Sequence, residues 1–199
     1  MIPRSVGKLI LSVFFVAVAA APTTAATIDF ESTALGNYSS LTFGTVTIEF
    51  LAGTGTFDVQ NQNPGGPLGG HVLMSYFTNA GEGSFEATFG GTGVSSVSIS
   101  VGDYAPSDVD ETHLRAYDQF NNLLDTDFYL IPASGPNGTL TVSSLTPIAR
   151  VEWNETGDFA GAVYWDNLTY TDAVAAPEPA SLSLMLLGTA GYLARRRRR

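Results

Sequence analysis

The chain of 199 residues contains no cysteine and only two histidines. Without cysteine no disulfide can stabilise the fold, so a hydrophobic core must do so alone. The cluster of cysteine and histidine ligands that a zinc site needs cannot be assembled. No Gly-x-Ser-x-Gly elbow, phosphate-binding glycine loop or dinucleotide fingerprint occurs either. These absences leave nucleophilic and nucleotide-dependent enzymes without support in the sequence.

Basic residues are also scarce, except at the two ends of the chain. Of nine lysines and arginines, only Arg115 and Arg150 lie in the body of the protein, residues 27–176. The body holds 18 of the 19 acidic residues, so its formal net charge is −16. A nucleic-acid-binding protein needs a basic surface, so nucleic acid is excluded as a partner. An acidic surface favours solubility and attracts cations.

The N-terminal residues have the layout of a cleaved secretory signal peptide. Arg4 and Lys8 form a positive region, and a 12-residue apolar core follows from Leu9 to Ala20. Small residues then precede a cleavage point after Ala25 or Ala26. The alternative is a membrane anchor that stays attached, but a bilayer span needs about 20 apolar residues. Residues 1–26 are therefore predicted to be a signal peptide.

The C-terminal residues carry a second signal, in three parts. Prolines 177 and 179 flank Glu178, and because proline cannot join a helix interior they separate the body from the C-terminal segment. Next comes an uncharged, mostly apolar run, Ala180 to Ala194. The chain ends in a block of arginines, a feature that stays on the cytoplasmic side of a membrane. The residues of the motif and the block are Pro177, Glu178, Pro179, Arg195, Arg196, Arg197, Arg198 and Arg199.

This order of parts resembles the bacterial PEP-CTERM sorting signal, which the membrane enzyme exosortase recognises. The resemblance covers residues 174–199 and implies a Gram-negative host that makes exopolysaccharide and biofilm. It also implies an exported body, a C-terminal transmembrane helix in the inner membrane and a basic cytoplasmic tip. The 15 apolar residues reach only about 22 Å as a helix, against a hydrocarbon core of about 30 Å. Such a marginal anchor suits a segment that an enzyme later removes.

Strand patterns dominate the body, and no stretch of it has a convincing helical period. Ser84–Phe89 and Val97–Val101 alternate apolar with polar or small residues, as strands with one buried face do. Glycine, asparagine and proline clusters separate the runs. Further strands are predicted at Thr27–Glu31, Thr45–Phe50, Gly55–Gln60, His71–Phe77, Thr112–Tyr117, Leu123–Leu130, Thr139–Leu145, Ala149–Trp153 and Val163–Thr171. Eleven short strands at this spacing predict an all-β domain, an antiparallel sandwich or barrel, over residues 27–173.

Three short motifs carry a second resemblance, to the β-sandwich bodies common in PEP-CTERM proteins. They are Ile28-Asp29-Phe30-Glu31, Leu114-Arg115-Ala116-Tyr117-Asp118 and Trp165-Asp166-Asn167-Leu168. Such bodies are similar in turn to jelly-roll carbohydrate-binding modules, in which an early Phe-Glu and a late Asp-Asn stretch flank a bound calcium ion.

The second resemblance implies a structural calcium site between the first and last strands. Glu31 closes the first predicted strand and Asp166 lies in the last, and in a jelly roll these strands come close together. Asp29 would join them if no bulge intervened. The alternative is that Asp166 and Asn167 form a strand-end turn while Glu31 is solvated.

Other candidate sites have weaker support. Asp103, Asp108, Asp110 and Glu111 form the densest acidic stretch, but they lack the spacing and glycine of an EF-hand loop, and a solvated loop is the plainer interpretation. A glycosidase needs two carboxylates at a defined separation, and the sequence cannot select a pair. His113 is expected to be a surface residue rather than a general base.

Aromatic residues offer a second interpretation of the body, because exposed rings can stack on sugars. The candidates are Tyr76, Tyr104, Tyr129, Trp153, Tyr164 and Trp165. Trp153 and Trp165 follow the apolar phase of their strands, which favours core packing.

Two functions remain open. The first is a non-enzymatic cell-surface or extracellular-matrix protein that exosortase processes and that associates with exopolysaccharide. The alternative is a secreted carbohydrate-binding module, with weak glycosidase activity as an additional option.

Overall fold

The computed structural model describes residues 24–51, 56–62, 68–74, 84–103, 109–132, 137–156, 163–173 and 189. These residues form thirteen strands: β1 (Ala25–Ile28), β2 (Gly36–Tyr38), β3 (Ser40–Phe43), β4 (Val46–Phe50), β5 (Phe57–Gln62), β6 (Gly70–Met74), β7 (Ser84–Phe89), β8 (Val94–Asp103), β9 (Asp110–Tyr117), β10 (Leu123–Ile131), β11 (Gly138–Ile148), β12 (Arg150–Thr156) and β13 (Val163–Asp172).

The strands form two sheets. Sheet A has the order β11-β8-β13-β6-β5-β2, and β1 also pairs with β13. Sheet B has the order β10-β9-β12-β7-β4-β3. Every strand pair is antiparallel, and the chain passes from one sheet to the other several times between β4 and β13. The prediction of an all-β antiparallel sandwich is confirmed.

Alternation in the sequence explains how the sheets face each other. Along β9, buried and partly buried residues alternate from Asp110 to Tyr117, because successive side chains of a strand point to opposite faces. The buried set, which includes Leu114 and Ala116, joins the core. The other set, which includes Arg115 and Tyr117, lies on the outer face of sheet B.

The core between the sheets is rich in aromatic rings. Phe85 of sheet B stacks on Trp153, with centroids 5.4 Å apart and planes 2° apart. Trp153 also packs against Trp165 of sheet A at 6.4 Å. Both tryptophans are completely or almost completely buried, so these rings fill the cysteine-free core and are not available to stack on a ligand.

Several strand boundaries differ from the sequence-based predictions. The first strand ends at Ile28, so Glu31 does not close it. The short strands β2 and β3, of three and four residues, were not predicted; neither contains a buried residue. Ser84–Phe89 was predicted with the correct bounds.

Candidate functional site

The first and last strands meet at one junction, as predicted. β1 pairs with β13 from Leu168 to Thr171, while β6 pairs with β13 at Tyr164 and Trp165. Sheet A places β8 on the other side of β13, so β1 and β6 lie end to end along the same edge of β13. The segment that follows Ile28 leaves β1 at the gap between them. We call the group formed there by Asp29, Glu31 and Asp166 the acidic junction.

An unusual backbone conformation ends β1 at this place. Phe30 has a φ of 58°, a left-handed value that is rare for a bulky residue and costs free energy. Its ring is fully buried and packs edge-on against Phe43, with centroids 5.7 Å apart. Burial of the ring offsets the strain. Across the junction, Asn167 has a φ of 51° within an irregular stretch of β13.

Asp166 is the buried member of the acidic junction, with 2% of its surface exposed. Its carboxylate accepts hydrogen bonds from the backbone N–H of Asn167 at 2.6 Å and from the Nδ2 of Asn167 at 3.0 Å. The pKa of Asp166 is raised to about 7: burial is the main cause, the backbone hydrogen bond from Asn167 opposes the rise, and the charges of Glu31 and Asp29 add to it. The three predicted residues are therefore close enough to interact electrostatically.

Glu31 is held against the start of β6. Its Oε1 accepts a hydrogen bond from the backbone N–H of His71 at 3.1 Å. Gly70, with a φ of 86°, leaves the space that this carboxylate uses, since a Cβ there would lie 1.9 Å from the same oxygen. Asp29 turns back on the segment and accepts a hydrogen bond from the Glu31 N–H at 3.3 Å. Nothing in the local sequence pointed to Gly70 or His71, which lie about 40 positions away.

The acidic junction brings three carboxylates close together, but they do not form a complete set of metal ligands. Within the described ranges, no group of three or more histidine, cysteine, aspartate or glutamate side chains is arranged to hold a metal ion. Calcium binds six to eight oxygens, and backbone carbonyls are among its usual ligands. A site here would therefore need carbonyl oxygens in addition to the carboxylates of Glu31 and Asp166.

A second concentration of polar groups lies on the outer face of sheet B. Arg150 donates hydrogen bonds from Nη1 to both Glu86, at 2.9 Å, and Glu152. Its guanidinium also lies over the Tyr117 ring, 4.0 Å from the centroid. Arg115 donates to the Oδ1 of Asn154 at 2.8 Å. We call this group the charged face; its members are Glu86, Arg115, Tyr117, Arg150, Glu152 and Asn154.

Cross-strand register builds the charged face. Glu152 of β12 stands opposite Arg115 of β9 and opposite Glu86 of β7. Tyr117 donates a hydrogen bond to Glu152 at 3.1 Å. Burial raises the pKa of Tyr117, and the charge of Glu152 raises it further. The alternation of β9 indicated that Arg115 and Tyr117 face outward, but no local signal could pair them with residues of β12 and β7.

The candidate sugar-stacking residues are mostly interior. Trp153, Trp165 and Tyr164 are buried, and Tyr129 is partly buried against the core. Tyr76 and Tyr104 lie outside the described residues. Phe120 and Phe128, which are 75% and 63% exposed, were not among the candidates.

His113 and the acidic stretch are partly described. The Nε2 of His113 lies 2.7 Å from the Oε1 of Glu111 on the outer face of sheet B, where a surface histidine was expected. Asp110, expected in a solvated loop, is instead in β9 and is only 2% exposed. Asp108 lies outside the described residues.

Both predicted targeting segments fall largely outside the described residues. The predicted signal peptide is described only from Thr24 to Ala26, and of the predicted sorting segment only residue 189 is described. Among the described residues, no helix is both long and apolar enough to cross a membrane. β1 already begins at Ala25 and pairs there with Thr171. Cleavage after Ala26 would therefore remove half of this strand.

Comparison with protein families identifies the C-terminal segment. Residues 175–199 match the PEP-CTERM protein-sorting motif, so the chain carries this motif. The match implies a protein that is exported and sorted by an exosortase, through a membrane-anchored precursor in a Gram-negative bacterium. No curated protein sequence matches the chain.

Solved structures resemble the body in fold. A DUF4465 family protein from Bacteroides caccae superposes with a TM-score of 0.52 at 11% identity, covering 74% of this chain and 98% of that one. The K1 cleaved adhesin domain of Lys-gingipain from Porphyromonas gingivalis gives 0.51 at 12% identity, covering 76% and 99%. The family 11 carbohydrate-binding module from Clostridium thermocellum gives 0.38 at 11% identity, covering 79% and 100%; this score is too low to support an inference.

Proposed function

We propose that the protein is a non-enzymatic component of the cell surface or extracellular matrix, which exosortase cuts near Pro177–Pro179 after export. The observation that carries this proposal is the PEP-CTERM motif at residues 175–199, joined to a body that folds as a two-sheet sandwich. Association of the body with exopolysaccharide is part of the proposal, because the motif resembles a signal used where such polymers are made.

The one pair of neighbouring carboxylates on the charged face is not arranged for glycoside hydrolysis. Glu86 and Glu152 are neighbouring carboxylates on adjacent strands, the type of pair that glycoside hydrolysis uses. Both are bonded to Arg150, whose guanidinium occupies the space between them. A general acid and a nucleophile would need that space for the substrate.

Intact-mass measurement on protein extracted from the cell surface tests the processing step. We expect the mature protein to lack Arg195–Arg199, because cleavage near the Pro-Glu-Pro motif removes everything after it. Glu178→Ala should leave the uncut precursor in the inner membrane, while Asp172→Ala, which removes a carboxylate outside the motif, should be processed normally. A mature protein that retains the arginine block would overturn the proposal.

The acidic junction is proposed to hold a structural calcium ion. Glu31 and Asp166 would supply carboxylate oxygens, and Asp29 would contribute after a change of rotamer. The ion would neutralise carboxylates that now repel one another and would tie β1 to β13. Thermal melts of residues 24–176 with calcium and with a chelator should differ clearly, and Asp166→Ala should abolish the difference. Identical melting curves would exclude the site.

A carbohydrate-binding module is the second candidate function, and the charged face favours it. Sugar hydroxyls both donate and accept hydrogen bonds, so neighbouring guanidinium, carboxylate and amide groups on a sheet surface can bind them together. A glycan array with residues 24–176, with and without calcium, tests this function. Binding that Arg115→Ala removes and Asp172→Asn retains would support it, because Asp172 is exposed at the end of β13, in the other sheet. Absence of binding to any glycan would exclude this second function and would leave only export and processing by exosortase from the first, without the association of the body with exopolysaccharide.

A further inference from the structure

The longest strand of the sandwich lies at an edge. β11 has 11 residues, Gly138–Ile148, and carries no charged side chain. It ends the order of sheet A, so one row of its backbone groups has no partner strand among the described residues. A long uncharged edge strand is a template for pairing with another chain. The opposite edge strands of sheets A and B are β2 and β3, which have only 3 and 4 residues. Strands this short offer few backbone groups for pairing with another chain.

Two aspartates of β10 cover the edge of β11. β10 is the edge strand of sheet B and immediately precedes β11 in the chain. The Oδ2 of Asp127 accepts a hydrogen bond from the Thr141 N–H, and the Oδ2 of Asp125 accepts one from the Ser143 N–H, each at 2.8 Å. Moving two residues forward along β10, from Asp125 to Asp127, moves the bonded amide two residues back along β11, from Ser143 to Thr141. This is the spacing of an antiparallel ladder, with carboxylates in place of backbone carbonyls.

The remaining carboxylate oxygens cover the edge of β10 itself. The Oδ1 of Asp125 accepts from the Thr126 N–H, and the Oδ1 of Asp127 accepts from the Phe128 N–H, each at 2.9 Å. Each carboxylate therefore joins one amide of sheet A to one amide of sheet B. Hydrogen bonds to a charged acceptor are stronger than those between neutral groups. We call these two residues and their four bonds the aspartate bridge.

Tyr129 extends the cover of the β11 edge beyond the two aspartates, by packing instead of hydrogen bonding. Tyr129 follows Asp127 by two residues, and its ring lies against Gly138, where an added Cβ would be 2.4 Å from the ring. Asp125, Asp127 and Tyr129 thus all face the edge of β11 in turn. The glycine allows the ring to approach the backbone, so the side of the sandwich is closed along the first half of β11.

We infer that the aspartate bridge keeps the edge of β11 from pairing with the β11 edge of a second copy of this chain. A second copy is the partner that fits, because β11 is uncharged and, without the carboxylates, its outward amides and carbonyls would complement those of an identical strand run antiparallel. Without the carboxylates, Thr141 and Ser143 would present their N–H groups to any such strand. The bridge therefore opposes self-association of the body through the edge of β11.

Amide hydrogen exchange on the full chain, read residue by residue, tests the individual bonds. Asp127→Ala should raise exchange at Thr141, and Asp125→Ala should raise it at Ser143, each on the order of tenfold. Asp172→Ala removes an exposed carboxylate at the end of β13 and should change neither amide. If each aspartate variant changed both amides equally, or neither, the assignment of the bonds would be wrong.

Light scattering of the full chain over a range of concentrations tests the consequence. Asp125→Ala/Asp127→Ala should associate with rising concentration while the wild type does not. Adding Thr141→Lys to the double variant should restore the wild-type mass, because a lysine on an edge strand opposes pairing. A double variant with the wild-type mass at every concentration would overturn the inference. If the double variant fails to fold, association of either single variant that Thr141→Lys reverses supports the inference, and its absence from both overturns it.

Discussion

Asp166 should make the stability of the metal-free body depend on pH between about 5 and 8. Its pKa is about 7 in the folded protein, against an ordinary value of 3.8. Between these two values the folded state binds a proton that the unfolded state has lost. Stability therefore falls as the pH rises through this window and is constant above it, because both states are then ionised. The sign is opposite to that of a salt-bridged aspartate.

The size of the effect follows from linkage. Each pH unit over which the two states differ by one proton changes the free energy of unfolding by about 1.36 kcal/mol. From pH 5 to pH 8 the difference extends over about two units, so the body should lose about 2.7 kcal/mol. In a domain of this size the melting temperature would fall by roughly 5–10 °C.

Urea unfolding of residues 24–176 in chelator, at several pH values, measures this loss. Asp166→Asn keeps the shape of the protonated side chain and should give a flatter pH profile. Both histidines are present in that variant, so the difference between the two profiles belongs to Asp166. Excess calcium at pH 8 should restore stability in the wild type alone, since calcium binds the ionised carboxylate. Parallel profiles for wild type and Asp166→Asn in chelator would refute the burial of a neutral Asp166.

Two further substitutions test the surroundings of these sites. Gly70→Ala should lower the free energy of unfolding by about 1–3 kcal/mol, because a Cβ there meets Glu31 and the φ of 86° is unfavourable; Gly69→Ala, which meets no atom within 4 Å, should cost much less in the same urea titration. Arg150→Ala should destabilise the body by about 1–3 kcal/mol, because two neighbouring carboxylates lose their shared partner. Arg150→Lys should recover only part of this loss, since a lysine lacks the planar fork, and equal midpoints for the three proteins would contradict the bonding described.

Alternation in the local sequence predicted some strands with the correct bounds and gave wrong bounds where the backbone departs from the extended conformation. Ser84–Phe89 was predicted with correct bounds because each buried residue alternates with a more exposed one. The first strand was extended wrongly to Glu31, because Ile28 and Phe30 continue the alternation of buried residues. Phe30 is buried with a left-handed backbone. Its packing against Phe43 stabilises this conformation, and no pattern in the neighbouring sequence indicates that contact.

The candidate sites also depend on contacts between residues that are far apart in the sequence, and local patterns do not show such contacts. The resemblance to jelly-roll modules brought Glu31 and Asp166 together, and the structure places them at one junction. Gly70 and His71 accommodate the carboxylate of Glu31. Both belong to β6, a strand that reaches the junction only through the fold. The bond between Glu86 and Arg150 likewise joins positions 64 residues apart, so only the sheet register could reveal it.

Several acidic side chains of this body bind backbone amides. Asp29, Asp118, Asp125, Asp127 and Asp166 all accept hydrogen bonds from backbone N–H groups, at turns, edges and the acidic junction. The side chain of Asn122 and the N–H groups of Phe120 and Asn122 hold the pKa of Asp118 below its usual range, against the effect of burial. Its stabilising contribution is therefore present above the ordinary pKa and is lost as the pH falls through the lower folded value.

Asp118 and Asp166 thus act in opposite directions along the pH scale. Acidification from pH 8 first stabilises the metal-free body through Asp166 and then destabilises it once Asp118 is protonated. The two contributions together place the maximum of stability near the ordinary aspartate pKa of 3.8, because Asp166 lowers stability as the pH rises above that value and Asp118 lowers it as the pH falls below that value. Calcium would move that maximum toward neutral pH, because the ion stabilises the ionised form of Asp166 that the metal-free fold disfavours.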